Sequence, residues 1–236
     1  VTDLDLSEMV RLHRVRRAYA TIALTHVEDA RPFGFVPTGD DGEVEEFREK
    51  PAELVPGDIN AGTYVLEPEA LSGWAAGENI SIERQMFPAL IDGGAPVFGF
   101  LSDAYWIDVG TPENYLQAHF DLLEGRVAGR RYETPLVAPD AEVDAAARLG
   151  RRVVAGPGSR VGSGAVVEDS VLHAGSVVER GAAVECSVLG PGAHVAAGAR
   201  IRGTVLAEGA RVGEGASAED ERISAGMSFP ARPKPR

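Results

Sequence analysis

The positive charge of this chain is carried almost wholly by arginine, and its only lysines are Lys50 and Lys234. Lys234 stands in a proline-rich tail, where chain ends are commonly unordered. Lys50 stands inside a motif, Glu46-Phe47-Arg48-Glu49-Lys50-Pro51. In so arginine-biased a chain, a lysine within a motif points to a need for a compact, point-like ammonium rather than a planar guanidinium. A second chemistry-bearing residue is Asp108, in Tyr105-Trp106-Ile107-Asp108-Val109-Gly110-Thr111-Pro112, where an expected strand ends beside a glycine turn. His13, His26 and His119 lie in unrelated contexts and suggest no metal cluster. Cys186 is the only cysteine, which excludes an internal disulfide framework and fits a reducing cytoplasm.

The elements that must position these residues change character near residue 131. Before it, helical and strand-like segments alternate, as in an α/β layer with some antiparallel pairing. Ser7 to Tyr19 is expected as an amphipathic helix with Ser7 as its N-cap. Expected strands are Ala20 to Val27, Phe33 to Pro37, Ala61 to Leu66, Val97 to Leu101 and Tyr105 to Asp108. Gly39 to Gly42 is an expected turn, with Val44 to Phe47 returning as the hairpin partner. Glu67 to Trp74, Ile82 to Ile91 and Pro112 to Leu123 are expected as helices. Trp106 is expected to pack, and Asp3 and Asp5 to be terminal acids without a metal role.

Beyond residue 131 a repeat governs. The apolar series Ala155, Val161, Val167, Leu172, Val178, Val184, Leu189, Val195, Ile201, Leu206, Val212 advances by six, six and five residues, so one coil takes 17 residues. Val137, Val143 and Leu149 extend a looser series of sixes toward the junction. Four positions after each member comes a small or β-branched residue, from Ser159 and Ala165 through Val171, Val188 and Val205 to Ala216, expected near a corner of the coil. A glycine precedes it at Gly158, Gly164, Gly175, Gly181, Gly192, Gly198, Gly209 and Gly215. Apolar residues pointing inward and glycines at tight turns describe a triangular coil that stacks on the next. This pattern resembles the hexapeptide-repeat left-handed β-helix. By register, His173 and His194 are expected to point to solvent. The tail Ser224 to Arg236, with its prolines and charges, suits the outer end, where stacking must stop.

A net charge of −13 disfavours binding to nucleic acid or an anionic membrane. The arginines of Arg11 to Arg17 are at helical spacing and suit a solvated face. No apolar run approaches the ~18 residues that a membrane span requires, and the first residues carry no apolar leader segment.

Between residues 33 and 112 five motifs follow in order: Phe33-Gly34-Phe35-Val36, then Phe47-Arg48-Glu49-Lys50-Pro51, Asn60-Ala61-Gly62-Thr63-Tyr64-Val65, Ser81-Ile82-Glu83-Arg84 with Phe87-Pro88, and Tyr105 to Pro112. Followed by hexapeptide repeats, this order resembles the sugar-1-phosphate nucleotidyltransferases, in particular the mannose-1-phosphate guanylyltransferase branch. The resemblance implies a Rossmann-like nucleotidyltransferase domain, here its sugar-phosphate part over residues 1–130, and a left-handed β-helix over 131–236. It implies a reaction in which a hexose-1-phosphate oxygen attacks the α-phosphate of an NTP and pyrophosphate leaves, chemistry that rests on positioning and charge neutralisation.

In that family Lys50 would hold the sugar phosphate, Glu49 would accept hydrogen bonds from sugar hydroxyls, Gly34 would let the backbone approach the hexose, Asn60 would face the same pocket and Asp108 would bind Mg²⁺. Gly34 and Gly62 also suit plain turn or bulge positions, and Asn60 also suits a backbone cap. The family's Gly-rich phosphate loop and its second metal-binding aspartate have no match here, so the chain by itself is expected to be inactive or nearly so. Hexose-1-phosphate and NTP are the implied partners, GTP and mannose-1-phosphate the implied pair, and the β-helix the implied site of homo-oligomer contacts. Three alternatives stand beside it: a non-catalytic regulatory subunit, a glucose-1-phosphate uridylyl- or thymidylyltransferase, and a β-helix acyltransferase using His173 or His194.

Overall fold

The structure is a computed structural model that describes residues 1–75, 77–129 and 131–230; the last six residues of the expected capping tail lie outside them. It divides into two compact units, one spanning Thr2–Trp106 and the other running from Ile107 onward.

The first unit is built on a five-stranded mixed sheet. Helix α1 (Leu6–Arg16) opens on Asp5 rather than Ser7, because the Asp5 carboxylate accepts from the Ser7 and Glu8 amides. A negative cap at a helix N-terminus satisfies orphan N–H groups and complements the helix dipole. Strand β1 (Ala20–Val27) is then an inner strand of the sheet. Its neighbours are β4 (Gly57–Leu66), antiparallel, and β5 (Val97–Leu101), parallel. Beyond β4 lie β2 (Gly34–Phe35) and β3 (Arg48–Glu49), giving the order β3-β2-β4-β1-β5. Ile22, Leu24, Val36, Met86, Phe87 and Val97 fill the core on one side of the sheet.

Several expected elements are shorter or differently made. The return strand of the hairpin is Arg48–Glu49, not Val44 to Phe47; Val44 makes only an isolated bridge to Thr38 and gives its amide to Val97. Glu67 to Trp74 contracts to a 3₁₀ turn, Pro68–Leu71. Ile82 to Ile91 splits into a π-turn, Ile82–Met86, and a short α2, Phe87–Asp92. Pro88 has no N–H for the carbonyl one turn back, so a single α-helix through it would leave that group unpaired. Tyr105 to Asp108 forms no strand; Trp106 makes one isolated bridge to Thr2, gives its indole N–H to the Ala61 carbonyl, and packs edge-on against Phe33.

The second unit is a parallel β-helix with α3 (Pro112–Leu123) laid along one flank. Three sheets of six, five and six short strands run from Leu136–Val137 to Ser228–Phe229. Ala155, Leu172, Leu189 and Leu206 stack in register, 17 residues apart, as do Val161, Val178, Val195 and Val212. The first coil is one residue longer, pairing Leu136 with Val154 and Glu142 with Arg160. The corner glycines take φ near +65°, the left-handed region that lets the chain turn.

The placement of small residues differs from expectation at one side of the prism. A side chain faces inward two positions before each inward apolar residue, because strand side chains alternate. Where the step is six, that position holds Ser159, Ala165, Ser176, Ala182, Ala193 or Ala199, all buried. Where the step is five it holds Ser170, Ser187 and Thr204, while Val171, Val188 and Val205 turn outward. These valines, with Val154, receive Leu116, Phe120 and Tyr115 of α3. The buried hydroxyls form a ladder: Ser170 Oγ accepts from the Ser187 amide and Ser187 Oγ from the Thr204 amide.

His173 does not point to solvent. Its Nε2 lies 3.0 Å from the Tyr115 hydroxyl, and the two rings stack. His194 is bracketed by Glu179 at 2.8 Å and Arg211 at 3.1 Å.

Two predictions follow from this packing. Ser159 and Ser176 bury hydroxyls without a partner among the described residues, and the two coils after Ser176 place Ala193 and Ala210 there. Ser176→Ala should raise stability by about 1 kcal/mol, whereas Ser187→Ala, which strips the Thr204 amide of its acceptor, should cost about 1–3 kcal/mol; urea unfolding separates the two. Burial, assisted by nearby His119, holds His173 below the ordinary imidazole range. The unfolded chain then binds more protons than the folded one as pH drops below ~6.5, so this contribution is present above that pH and is lost as pH falls from there through the lower folded-state value. His173→Gln should flatten the acid limb of a stability-against-pH curve.

Candidate functional site

Four of the residues expected to carry chemistry meet on the outer half of the sheet in the first unit. Gly34 and Glu49 are direct partners across β2 and β3. The pairing brings the Glu49 carboxylate over a residue that has no side chain. A Cβ on Gly34 would lie 2.8 Å from the Phe47 ring and 3.2 Å from Glu49 Oε2, so glycine is required by this packing. Gly34 has an ordinary φ and is not a turn glycine.

Lys50 follows at the end of β3 with φ +53°. An L-residue in the left-handed region is uncommon and costs energy, and it sits before Pro51, which also restricts it. Its amide is tied to the Phe33 carbonyl at 3.0 Å. The side chain is exposed, and among the described residues its ammonium makes no ion pair. Lys50 thus follows Glu49 directly with a strained backbone and an exposed cation that makes no ion pair among the described residues.

Asn60 is 8% exposed and serves the protein first. Its Oδ1 accepts from the Gly62 amide at 2.8 Å, and its Nδ2 donates to the Tyr64 hydroxyl at 2.7 Å and to Glu83 Oε1 at 3.0 Å. Gly62, at φ +75°, lies where the register between β1 and β4 shifts, so the bulge and the amide cap occur together. Asn60 therefore acts as the backbone cap that its sequence context also allowed. Tyr64 feels two carboxylates: burial raises its phenol above the ordinary range, the Asn60 hydrogen bond opposes this, and the negative charges of Glu83 and Glu49 add to it. Its ring packs on Phe87, which stacks on Phe47.

Tyr64 and Glu83 were not singled out by residue type. The sequence signal was present for both, in the Asn60–Val65 and Ser81–Arg84 motifs, but nothing in their spacing shows that a π-turn aims Glu83 back at β4.

Asp108 belongs to the other compact unit. It is exposed, its carbonyl accepts from the Asn114 side chain at 2.8 Å, and Thr111 caps α3 just beyond. A Cβ on Gly110 would come within 3.1 Å of Asp108 Oδ2, so glycine leaves that carboxylate free space. Among the described residues no group of three or more histidines, cysteines or acids is arranged to hold a metal, and no helix is long and apolar enough to cross a membrane.

The family profile described as "Nucleotidyl transferase" matches residues 1–125. The chain belongs to that family. A second profile, "GMPPB C-terminal domain", matches residues 132–226. A mannose-1-phosphate guanylyltransferase of Mycobacterium tuberculosis is 37% identical over 178 residues, covering 71% of this chain and 49% of the relative. A probable mannose-1-phosphate guanylyltransferase 3 of Oryza sativa subsp. japonica is 32% identical over 175 residues, 72% of this chain and 48% of the relative. A UTP–glucose-1-phosphate uridylyltransferase of Synechocystis is 38% identical over 120 residues, 49% of this chain and 31% of the relative. The chain spans about half the length or less of these curated relatives.

Gly34→Ala tests whether the glycine is held by packing. It should destabilise the chain by about 1–3 kcal/mol through overpacking, read by thermal unfolding, and Phe47→Leu in the same chain should return part of the loss. An alanine variant as stable as the parent would show that the Phe47 ring and Glu49 carboxylate are free to move aside.

Proposed function

We propose that this chain supplies the hexose-1-phosphate half of a nucleotidyl transfer, with mannose-1-phosphate as the sugar phosphate and GTP as the nucleotide. The observation that carries the reading is an exposed ammonium without an ion pair among the described residues, Lys50, next in the chain to Glu49, whose carboxylate lies over a residue without a side chain, Gly34. Such a pair suits a phosphate on one side and sugar hydroxyls on the other: a point charge for the first, an acceptor for the second. The family membership and the two guanylyltransferase relatives support the choice of substrates.

In this reading residues 1–130 carry the sugar-phosphate part and 131–236 the β-helix, through which copies of the chain assemble in the cytoplasm. A phosphate oxygen of the hexose-1-phosphate forms a bond to the α-phosphorus of GTP as the bond to the pyrophosphate leaving group breaks. The chain's own residues position one reactant. Lys50 holds and partly neutralises the sugar phosphate, Glu49 orients the sugar, and the Asn60 cap keeps β4 in the bulged form that sets Tyr64 and Glu83. Asp108, an exposed carboxylate with clear space, is a hard oxygen donor of the kind Mg²⁺ takes together with phosphate oxygens; the ion would neutralise phosphate charge. The Synechocystis relative favours glucose-1-phosphate with UTP as the second reading.

Calorimetric titration of the chain with mannose-1-phosphate and glucose-1-phosphate tests this directly. Lys50→Met should weaken binding of the preferred sugar phosphate at least about tenfold, the loss of one charge-assisted contact. Pyrophosphate release with Mg²⁺ and each NTP in turn reads the nucleotide, and turnover by this chain would overturn the expectation that it is inactive without the Gly-rich phosphate loop. Binding unchanged by Lys50→Met would overturn the role of Lys50, and preference for glucose-1-phosphate would decide for the second reading.

A further inference from the structure

The residue that completes a sugar-reading site is in the π-turn. Asn60 was expected to face the hexose, but its three hydrogen bonds to Gly62, Tyr64 and Glu83 already engage both ends of its amide. An amide so occupied and 92% shielded from solvent has little left to offer a ligand. Glu83 is different. One oxygen, Oε1, receives Asn60 at 3.0 Å and Tyr64 at 3.5 Å, while Oε2 has no partner among the described residues. The side chain is half-buried, and the contacts to Oε1 hold the carboxylate in place.

Its backbone is held as well. Ser81 Oγ accepts from the Arg84 amide at 3.1 Å, and Gln85 Oε1 accepts in return from the Ser81 amide at 2.8 Å. These reciprocal bonds lock the start of the π-turn in which Glu83 lies. Short π-turns recur at functional sites because they displace one side chain from the direction an α-helix would give it. Here the displacement carries a carboxylate to Asn60 and Tyr64 of β4.

We propose that Glu83, not Asn60, is the second sugar-contacting residue of this chain: its Oε2 accepts hexose hydroxyls opposite Glu49, and Asn60 is the positioning residue that fixes the Glu83 carboxylate. The proposal rests on the hexose-1-phosphate reading above. In this proposal Glu83 and Glu49 together clamp the hexose hydroxyls, and a planar acceptor held by two hydrogen bonds discriminates among hydroxyl geometries better than a free one.

The test compares two probes on the same chain, mannose-1-phosphate and inorganic phosphate. Inorganic phosphate needs only Lys50; the sugar ester also needs the clamp. Glu83→Gln keeps a carbonyl that can accept from Asn60 and removes the charge. It should weaken mannose-1-phosphate about tenfold with no change in inorganic phosphate affinity or in Tm. Glu83→Asp, which retains the charge but withdraws it by one methylene, should show the same selective loss. Equal weakening of both probes together with a lower Tm would make Glu83 a structural residue and overturn the proposal. Lys50-dependent binding indifferent to both Glu83 variants would overturn this proposal alone. Absence of Lys50-dependent binding in the parent would overturn the function reading and this one with it.

Discussion

A coil of a parallel β-helix registers on the next only when each inward side chain meets its counterpart one turn later, and in this chain that constraint fixes the period at 17 residues. With six-residue sides, inward small and inward large residues alternate simply. The five-residue side removes one position, and strand alternation then forces the residue before each inward leucine to the outside. Leu172, Leu189 and Leu206 point in; Val171, Val188 and Val205 point out. On this side of the prism the outward residues are valines, Val154 on the preceding six-residue step included, and they form an apolar stripe on the outer wall. Leu116 and Phe120 of α3 cover it, and the Arg152 guanidinium lies over the Phe120 ring. Each buried leucine of the stack is worth about 2–5 kcal/mol against alanine, so the register that places α3 is strongly enforced.

The first unit depends on a comparable constraint at smaller scale. The bulge in β4 needs an amide partner for Gly62, and Asn60 supplies it from its own strand. Having done so, its Nδ2 is directed at Tyr64 and Glu83. One side chain thus links a backbone irregularity to the orientation of a phenol and a carboxylate. Bulges beside functional residues commonly re-aim side chains in this way. The left-handed backbone at Lys50 does the same for the ammonium. Lys50 is the strained position among these residues, whereas Gly62, as a glycine, takes its positive φ at little cost.

Much of this was legible in the sequence, and the reasons differ by element. The 17-residue repeat was legible because stacking repeats one rule many times. Strands Ala20–Val27 and Val97–Leu101 and helix Pro112–Leu123 were legible to the residue, because each is a pure run with a clean boundary: Thr111 and Pro112 open α3, and β1 is apolar and β-branched. The outward valines were misplaced because they were counted forward from the preceding inward residue; side-chain direction is set by the residue that follows on the same strand. The hairpin return was placed too early because Val44 and Phe47 are apolar, whereas pairing was taken by Arg48 and Glu49. Those two are polar residues on a strand at the edge of the sheet, where one backbone side is free and the hydrophobic pattern is weak.

The π-turn was the least legible element and bears most on the site. Ile82, Met86, Phe87, Leu90 and Ile91 fall at helical spacing, so the hydrophobic pattern alone calls for one continuous helix. Pro88 contradicts it, since the carbonyl that an α-helix would pair with its missing N–H must find another arrangement. Widening the turn before the proline resolves the conflict. Met86 and Phe87 remain buried in the core, while Glu83 swings toward β4 rather than along the helix face. A local backbone conflict visible in the sequence thus has a chemical consequence that residue type and spacing do not reveal: it turns an ordinary surface glutamate into a held carboxylate facing Tyr64.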